Sequence, residues 1–151
     1  VPLADRKIVV LPTRTIPQGL TAMLAYDPDS SVDENAVDMY KAAEKVGTGQ
    51  ITYAARNSEF NDKKIKEGEL LGLINGKLKF TEKSRSKAIA KLAKSMVTKN
   101  SSFITLIYGE DVTDEEAEET RKFIETKIAK NVEVTLVNGG QPVYYYILSV
   151  E

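Results

Sequence analysis

Ser102-Phe103-Ile104-Thr105-Leu106-Ile107-Tyr108-Gly109-Glu110-Asp111-Val112-Thr113 sets the α/β character of this chain. Ser102 to Tyr108 is rich in β-branched and aromatic residues and reads as a strand, which Gly109-Glu110-Asp111 ends. Thr113, with Glu116 three residues on, caps a helix over about Asp114 to Ala129. Asp114, Glu115 and Glu116 suit the positive end of that helix. Val132 to Val137 is the next strand. The piece from Phe103 to Val137 is therefore a βαβ unit, and its two strands are predicted to be parallel.

Downstream, Asn138-Gly139-Gly140-Gln141-Pro142 turns the chain into a last strand, Val143 to Val150, expected to run antiparallel because its connection is short. Within it, Tyr144-Tyr145-Tyr146 alternates faces, so at least one ring points away from the core unless both sheet faces are covered. Upstream, Arg85 to Thr98 reads as a helix burying Ala88, Ile89, Leu92, Ala93, Met96 and Val97. Asn75-Gly76 between Leu70–Ile74 and Lys77–Phe80 marks a hairpin, because a type I′ turn needs positive φ at both central residues.

Gln50 to Ala55 is a strand with the polar loop Arg56-Asn57-Ser58-Glu59 at its end, and Gly47-Thr48-Gly49 reads as the stop of the helix before it. That helix, about Val32 to Val46, opens on the capping box Ser31–Glu34 and has Ala36, Met39, Tyr40 and Ala43 as its buried stripe. An earlier helix, about Pro17 to Tyr26, has two frames. Thr15 is the N-cap if Gln18 completes a capping box, and Ile16 is the N-cap if Pro17 takes the first helical position. The second is favoured because a residue before proline avoids helical angles. Lys7 to Leu11 reads as a buried strand running into the polar turn Pro12-Thr13-Arg14-Thr15.

The expected fold is α/β, with mixed, partly parallel sheets and helices packed on them. The polar stretch Ser58 to Lys66 suggests two small lobes, 1–60 and 61–151. The start Val1-Pro2-Leu3, without Met, reads as a piece of a longer protein missing its N-terminal part, and the end after Val150 reads as a native C-terminus.

Composition narrows the chemistry. The 151 residues contain no Cys and no His, so thiol, disulfide and His-based mechanisms, and ordinary zinc sites, cannot be built. A carboxylate-only Mg²⁺ site stays open in principle, but no tight Asp/Glu cluster faces a strand end. The net charge of −1 gives no global attraction to nucleic acid. Neither a signal peptide nor a membrane span is visible. The lack of Cys fits a reducing cytoplasm.

Three loops carry candidate site residues. Thr13, Arg14, Thr15 and Gln18 lie at a helix start, where N–H groups and a guanidinium could hold an anion or a partner's carboxylate, or simply cap the helix. Arg56 and Asn57 end a strand. Asn138, Gly139, Gly140 and Gln141 form either a functional loop or a hairpin connection in which glycines supply positive φ. No residue is assigned a catalytic role and no metal ligand is assigned. The basic face of the Arg85–Thr98 helix and the acidic face of the Asp114–Ala129 helix read as solvated surfaces.

With these segments placed, the sequence resembles the C-terminal domain of the ATP-binding subunit of bacterial fatty acid kinase, a dihydroxyacetone kinase-like family. The resemblance rests on Val9 to Gly19, Gly49 to Arg56, Ile65 to Glu69, Ile107 to Thr113 and Asn138 to Tyr144. It implies a cytoplasmic parent that transfers the ATP γ-phosphate to a fatty acid, giving an acyl phosphate. It implies further that a separate DegV-like protein presents the fatty acid, and that ATP and Mg²⁺ bind in an N-terminal domain similar to that of dihydroxyacetone kinase. No cofactor is then expected in this chain. The C-terminal domain is expected to engage the fatty-acid-binding partner and the N-terminal kinase domain, without nucleic acid, in a parent that could be a homodimer. Two alternatives stand beside docking: a phosphate or acyl phosphate site near Arg14, and a structural or dimerisation lobe.

Overall fold

A computed structural model describes residues 5–151. They fall into two compact units, one ending at Val46 and the other spanning Gly47–Glu151. The hairpin formed by 58–60 and 63–65 pairs residues on both sides of position 60, so the division lies before it, between Val46 and Gly47.

The first unit is a pair of helices, α1 (Ile16–Leu24) and α2 (Val32–Glu44). Thr15 caps α1, its hydroxyl accepting from Gln18 N–H at 3.3 Å, while the Gln18 side chain accepts from Arg14 N–H at 2.9 Å. The favoured frame with Ile16 as N-cap is thus corrected. Pro17 fits one position further in, because the first four helical N–H groups lack intrahelical partners anyway. The capping box at Ser31 and Glu34 is present as predicted. Of its expected stripe, Ala43 is buried, Ala36 and Met39 are half-buried, and Tyr40 is exposed.

Asn35, 7% exposed, holds the turn between the helices. Its carbonyl oxygen accepts from Asp27 N–H at 2.8 Å, and its amide donates to the carbonyls of Asp27 (2.7 Å) and Ser30 (3.1 Å). The predicted strand Lys7–Leu11 is corrected: among the described residues it pairs with no strand, and Ile8, Val9 and Val10 are exposed. A β-branched run becomes a strand only beside another strand, and this unit contains two helices and no sheet among its described residues. Lys7 instead pairs with Asp33 of α2 at 2.6 Å.

The second unit bears out the α/β expectation. Its strands are β1 (Gly47–Tyr53), β2 (Ser58–Phe60), β3 (Lys63–Ile65), β4 (Leu70–Ile74), β5 (Lys77–Glu82), β6 (Ile104–Tyr108), β7 (Val134–Asn138) and β8 (Tyr146–Val150). Six of them form one sheet in the order β5-β4-β1-β8-β6-β7. Only β6 and β7 pair in parallel, with the crossover helix α4 (Asp114–Phe123) between them. The remaining neighbours are antiparallel. Helix α3 (Arg85–Met96) connects β5 to β6. The last turns of the α4 segment, Ile124–Ile128, widen into a π-helix, a shape the α-helical period does not announce.

The core gathers Ala88, Ile89, Leu92 and Ala93 of α3 and Ala117 of α4 over Ile51, Leu106, Tyr146 and Leu148 of the sheet. Asn75 and Gly76 make the predicted hairpin turn at φ 51° and 77°. Gly47 and Gly49 do not stop a helix; α2 has ended at Glu44, and both lie in β1. A Cβ on Gly49 would approach Leu92 Cδ2 to 2.8 Å, so the glycine lets α3 lie close on the sheet. The loop Arg56–Glu59 is also revised, since Ser58 and Glu59 open the β2–β3 hairpin, turned by Asn61 and Asp62 at φ 49° and 61°.

Candidate functional site

The registers bring many strand ends to one end of the six-stranded sheet. Tyr53 pairs with Leu70, Leu70 with Glu82, Ile51 and Tyr108 with Tyr146, and Tyr108 with Asn138. The carboxyl ends of the parallel strands β6 and β7 lie there, the position where open α/β sheets collect binding groups. Arg56–Asn57 and Asn138–Gln141 lie at this same end, separated across β8 and β6 by three strand spacings, about 14 Å. Thr13, Arg14, Thr15 and Gln18 belong to the other unit.

Asn138–Gln141 does not join a hairpin. It carries the chain from β7 past β6 to β8, and backbone bonds fix it on both sides. Gly139 N–H and Gly140 N–H donate to the Tyr108 carbonyl at 3.0 and 3.3 Å, and Glu110 N–H donates to the Gln141 carbonyl at 3.1 Å. Gly109 N–H donates to the Tyr145 carbonyl, and Tyr145 N–H to the Ile51 carbonyl, both at 2.9 Å. The Gln141 amide donates to the Tyr144 carbonyl at 3.2 Å. A Cβ on Gly109 would lie 2.6 Å from the Gln141 carbonyl oxygen, so only glycine permits this crossing. Asn138, Gly139 and Gly140 remain exposed, whereas Gln141 is half-buried.

The predicted last strand begins three residues late. Tyr144 N–H donates to the Pro142 carbonyl at 2.8 Å around Val143, which has φ 71°. This is the rare, strained hand of the γ-turn, and a β-branched residue is poorly suited to it. Such a conformation costs on the order of 1–3 kcal/mol and persists only where surrounding bonds over-determine it. Here the Thr52 hydroxyl donates to the Val143 carbonyl at 2.8 Å. Of the three tyrosines, Tyr146 is fully buried and Tyr144 and Tyr145 are half-buried.

Sequence reasoning missed Arg85, which it had assigned to a solvated basic face. Its guanidinium donates to the Asp111 carbonyl (2.9 Å), pairs with Glu116 (2.8 Å) and sits 4.9 Å from the centre of the Tyr145 ring. Tyr145 in turn meets Tyr53 at 6.0 Å between ring centres. Only the fold brings these positions together. Tyr108 was also missed. Its hydroxyl donates to the Asp114 carboxylate at 2.7 Å, and that bond, with burial, raises it above the ordinary tyrosine range.

Arg56 is exposed, and among the described residues no hydrogen bond or ion pair holds its guanidinium. Asn57 does structural work as well, its side-chain oxygen accepting from Glu67 N–H at 2.8 Å. At α1 the expected free N–H groups are largely absent. Pro17 has none, and those of Gln18 and Gly19 go to the Thr15 hydroxyl and carbonyl. That leaves little of an anion cradle beside Arg14.

The family of C-terminal domains of fatty acid kinase A-like subunits matches residues 2–151. The chain belongs to this family. Protein YloV of Bacillus subtilis (strain 168) is 36% identical over 149 residues. Uncharacterized proteins of Staphylococcus haemolyticus (strain JCSC1435) and Staphylococcus aureus (strain USA300) are 37% and 33% identical over the same length. Each alignment covers 99% of this chain and 27% of the relative, so the chain spans about a quarter of the proteins it matches.

Among the described residues no group of three carboxylates converges as a metal site. The one closely spaced glycine pair that opens a strand, Gly47 and Gly49, lies inside β1 rather than between a strand and a helix, as a phosphate loop requires. Among the described residues no helix is long and apolar enough to cross a membrane.

Proposed function

We propose that this fatty acid kinase domain is a docking module. It receives a DegV-like fatty-acid-binding protein, so that the ATP- and Mg²⁺-binding part of the parent, similar to dihydroxyacetone kinase, can phosphorylate the bound fatty acid to an acyl phosphate in the cytoplasm. The domain itself transfers no phosphate.

The observation that carries this reading is the construction of the sheet end. Backbone bonds tie 109–110 to 141–145 and 145 to 51, which makes the end rigid, yet Arg56, Glu110, Asp111 and Asn138 remain exposed on it. A surface organised before binding loses less conformational entropy on association. Arginine and partly exposed tyrosines at one sheet end are residue types enriched at interface hot spots. Arg56, with no internal partner among the described residues, is the charge assigned to the partner protein. Co-elution of this chain with the lipid-loaded binding protein, weakened by Arg56→Ala, is the expected result. Unchanged co-elution would remove Arg56 from the surface.

A further inference from the structure

We infer that the run Ile8-Val9-Val10-Leu11 is an unfinished strand, and that a strand from the part of the parent protein outside this chain pairs with it. The docking role proposed above neither supports nor needs this pairing. In this chain the run belongs to no sheet, and among the described residues the N–H and carbonyl groups of Ile8, Val9 and Val10 make no hydrogen bond. They are left to solvent as a row of unused ladder groups, the template to which an added strand binds.

One side of the run is already built. Lys7 pairs with Asp33 of α2 at 2.6 Å, and Val9 and Leu11 line, together with Ala36 of α2, two hollows against that helix. Ile8 and Val10 are exposed, Val10 to 76%. Four consecutive apolar residues without polar alternation are the pattern of a strand inside a parallel sheet, with strands beside it and helices over its faces. Helix α1 points the same way independently. It follows the run after a short turn, so the two are the opening parts of a βαβ unit, in which the helix packs back on the sheet. Ile16, Leu20, Met23 and Leu24 recur at helical spacing along α1, and all four are exposed, Leu24 to 87%. The run lacks neighbours and the helix lacks a sheet to cover; one missing layer supplies both.

The neighbour is a strand of the same parent rather than a second copy of this chain. The chain spans about a quarter of each relative it matches, so proteins of that length hold ample sequence to provide the strand. Two copies related by a twofold axis present the same edge to each other and pair antiparallel. The strand–turn–helix order and the unbroken apolar run belong to parallel pairing instead.

The test is hydrogen exchange, read by mass spectrometry, on the whole parent protein and on this chain. Peptides covering Ile8 to Leu11 are expected to exchange about a hundredfold or more slowly in the parent than in this chain. Equally fast exchange in both overturns the inference. Slow exchange in this chain alone also overturns it: a second copy is the neighbour if protection rises with concentration and sedimentation shows a dimer, and the chain covers itself if it does not. Val9→Pro and Val10→Pro in the parent separate a paired strand from a covered one, because successive N–H groups point to opposite edges and one of the two must be a ladder donor. At least one variant is expected to restore fast exchange across the run. Retained protection in both variants overturns the pairing. None of these outcomes bears on the docking role.

Discussion

The Thr52 hydroxyl donates to the Val143 carbonyl at 2.8 Å, joining residues 91 positions apart. Thr52 is only 8% exposed, so Thr52→Val keeps the volume and deletes the bond. A lost internal hydrogen bond costs about 1 kcal/mol, and more where the remaining partner stays dry. Urea denaturation is expected to show a loss of about 1–2 kcal/mol for Thr52→Val. No change in midpoint would mean that Val143 keeps its turn without Thr52.

Arg85 ties the start of α3 to the 109–116 segment through Asp111 and Glu116 and stacks over Tyr145. Its pair with Glu116 is about one-third exposed on both sides, so the Coulomb part is discounted to the lower half of the surface range. Adding the bond to Asp111 and the cation–π contact, Arg85→Ala is expected to cost roughly 1–2 kcal/mol. Arg85→Lys recovers less than half of that, because an ammonium cannot make the forked contacts and stack at once. Full recovery by lysine in chemical denaturation would contradict this assignment.

Gly49 and Gly47 order themselves by space. A Cβ at 49 meets the Met96 sulfur first and then fully buried Leu92 at 2.8 Å, whereas at 47 the nearest atom is Met96 Cε at 3.4 Å. Gly49→Ala should therefore destabilise by roughly 1–3 kcal/mol, and Gly47→Ala by less. The reverse order in thermal melts would show that α3 does not rest on β1 as described.

The pairing of β6 with β7, the Asn75–Gly76 hairpin and the caps of α2 and α4 were all legible, because each depends on local spacing. The segment Lys7–Leu11 misled for the opposite reason: strand propensity says nothing about whether a neighbouring strand exists. Gly47 and Gly49 were read as punctuation when the role of Gly49 is to admit Leu92, a contact 43 positions away in the sequence. At the candidate site, Asn138–Gln141 and Arg56 were visible as polar strand ends. Arg85, Tyr108 and the Thr52–Val143 bond were not, because nothing in a linear pattern sets Arg85 against Tyr145 or Val143 against Thr52.

Glu34 gives a pH test of the α2 cap. Its carboxylate accepts from Ser31 N–H at 2.9 Å, and the bonds with the Ser31 side chain and backbone lower its pKa from 4.5. A carboxyl group lowered in the folded state adds stability above pH 4.5, and that stability is lost as pH falls through the folded value. The difference in melting temperature between wild type and Glu34→Ala is expected to be larger at about pH 7 than at about pH 3. A difference independent of pH would mean that the charge contributes nothing to the cap.

The proposed docking of a fatty-acid-binding protein uses the sheet end that carries Arg56 and Asn138–Gln141. Calorimetric titration of the chain with the lipid-loaded binding protein tests it most directly. Saturable binding in the micromolar range or tighter is expected, weakened at least fivefold by Arg56→Ala with no change in melting temperature. Absence of both heat and co-elution, with this chain and equally with the whole parent protein, would contradict it.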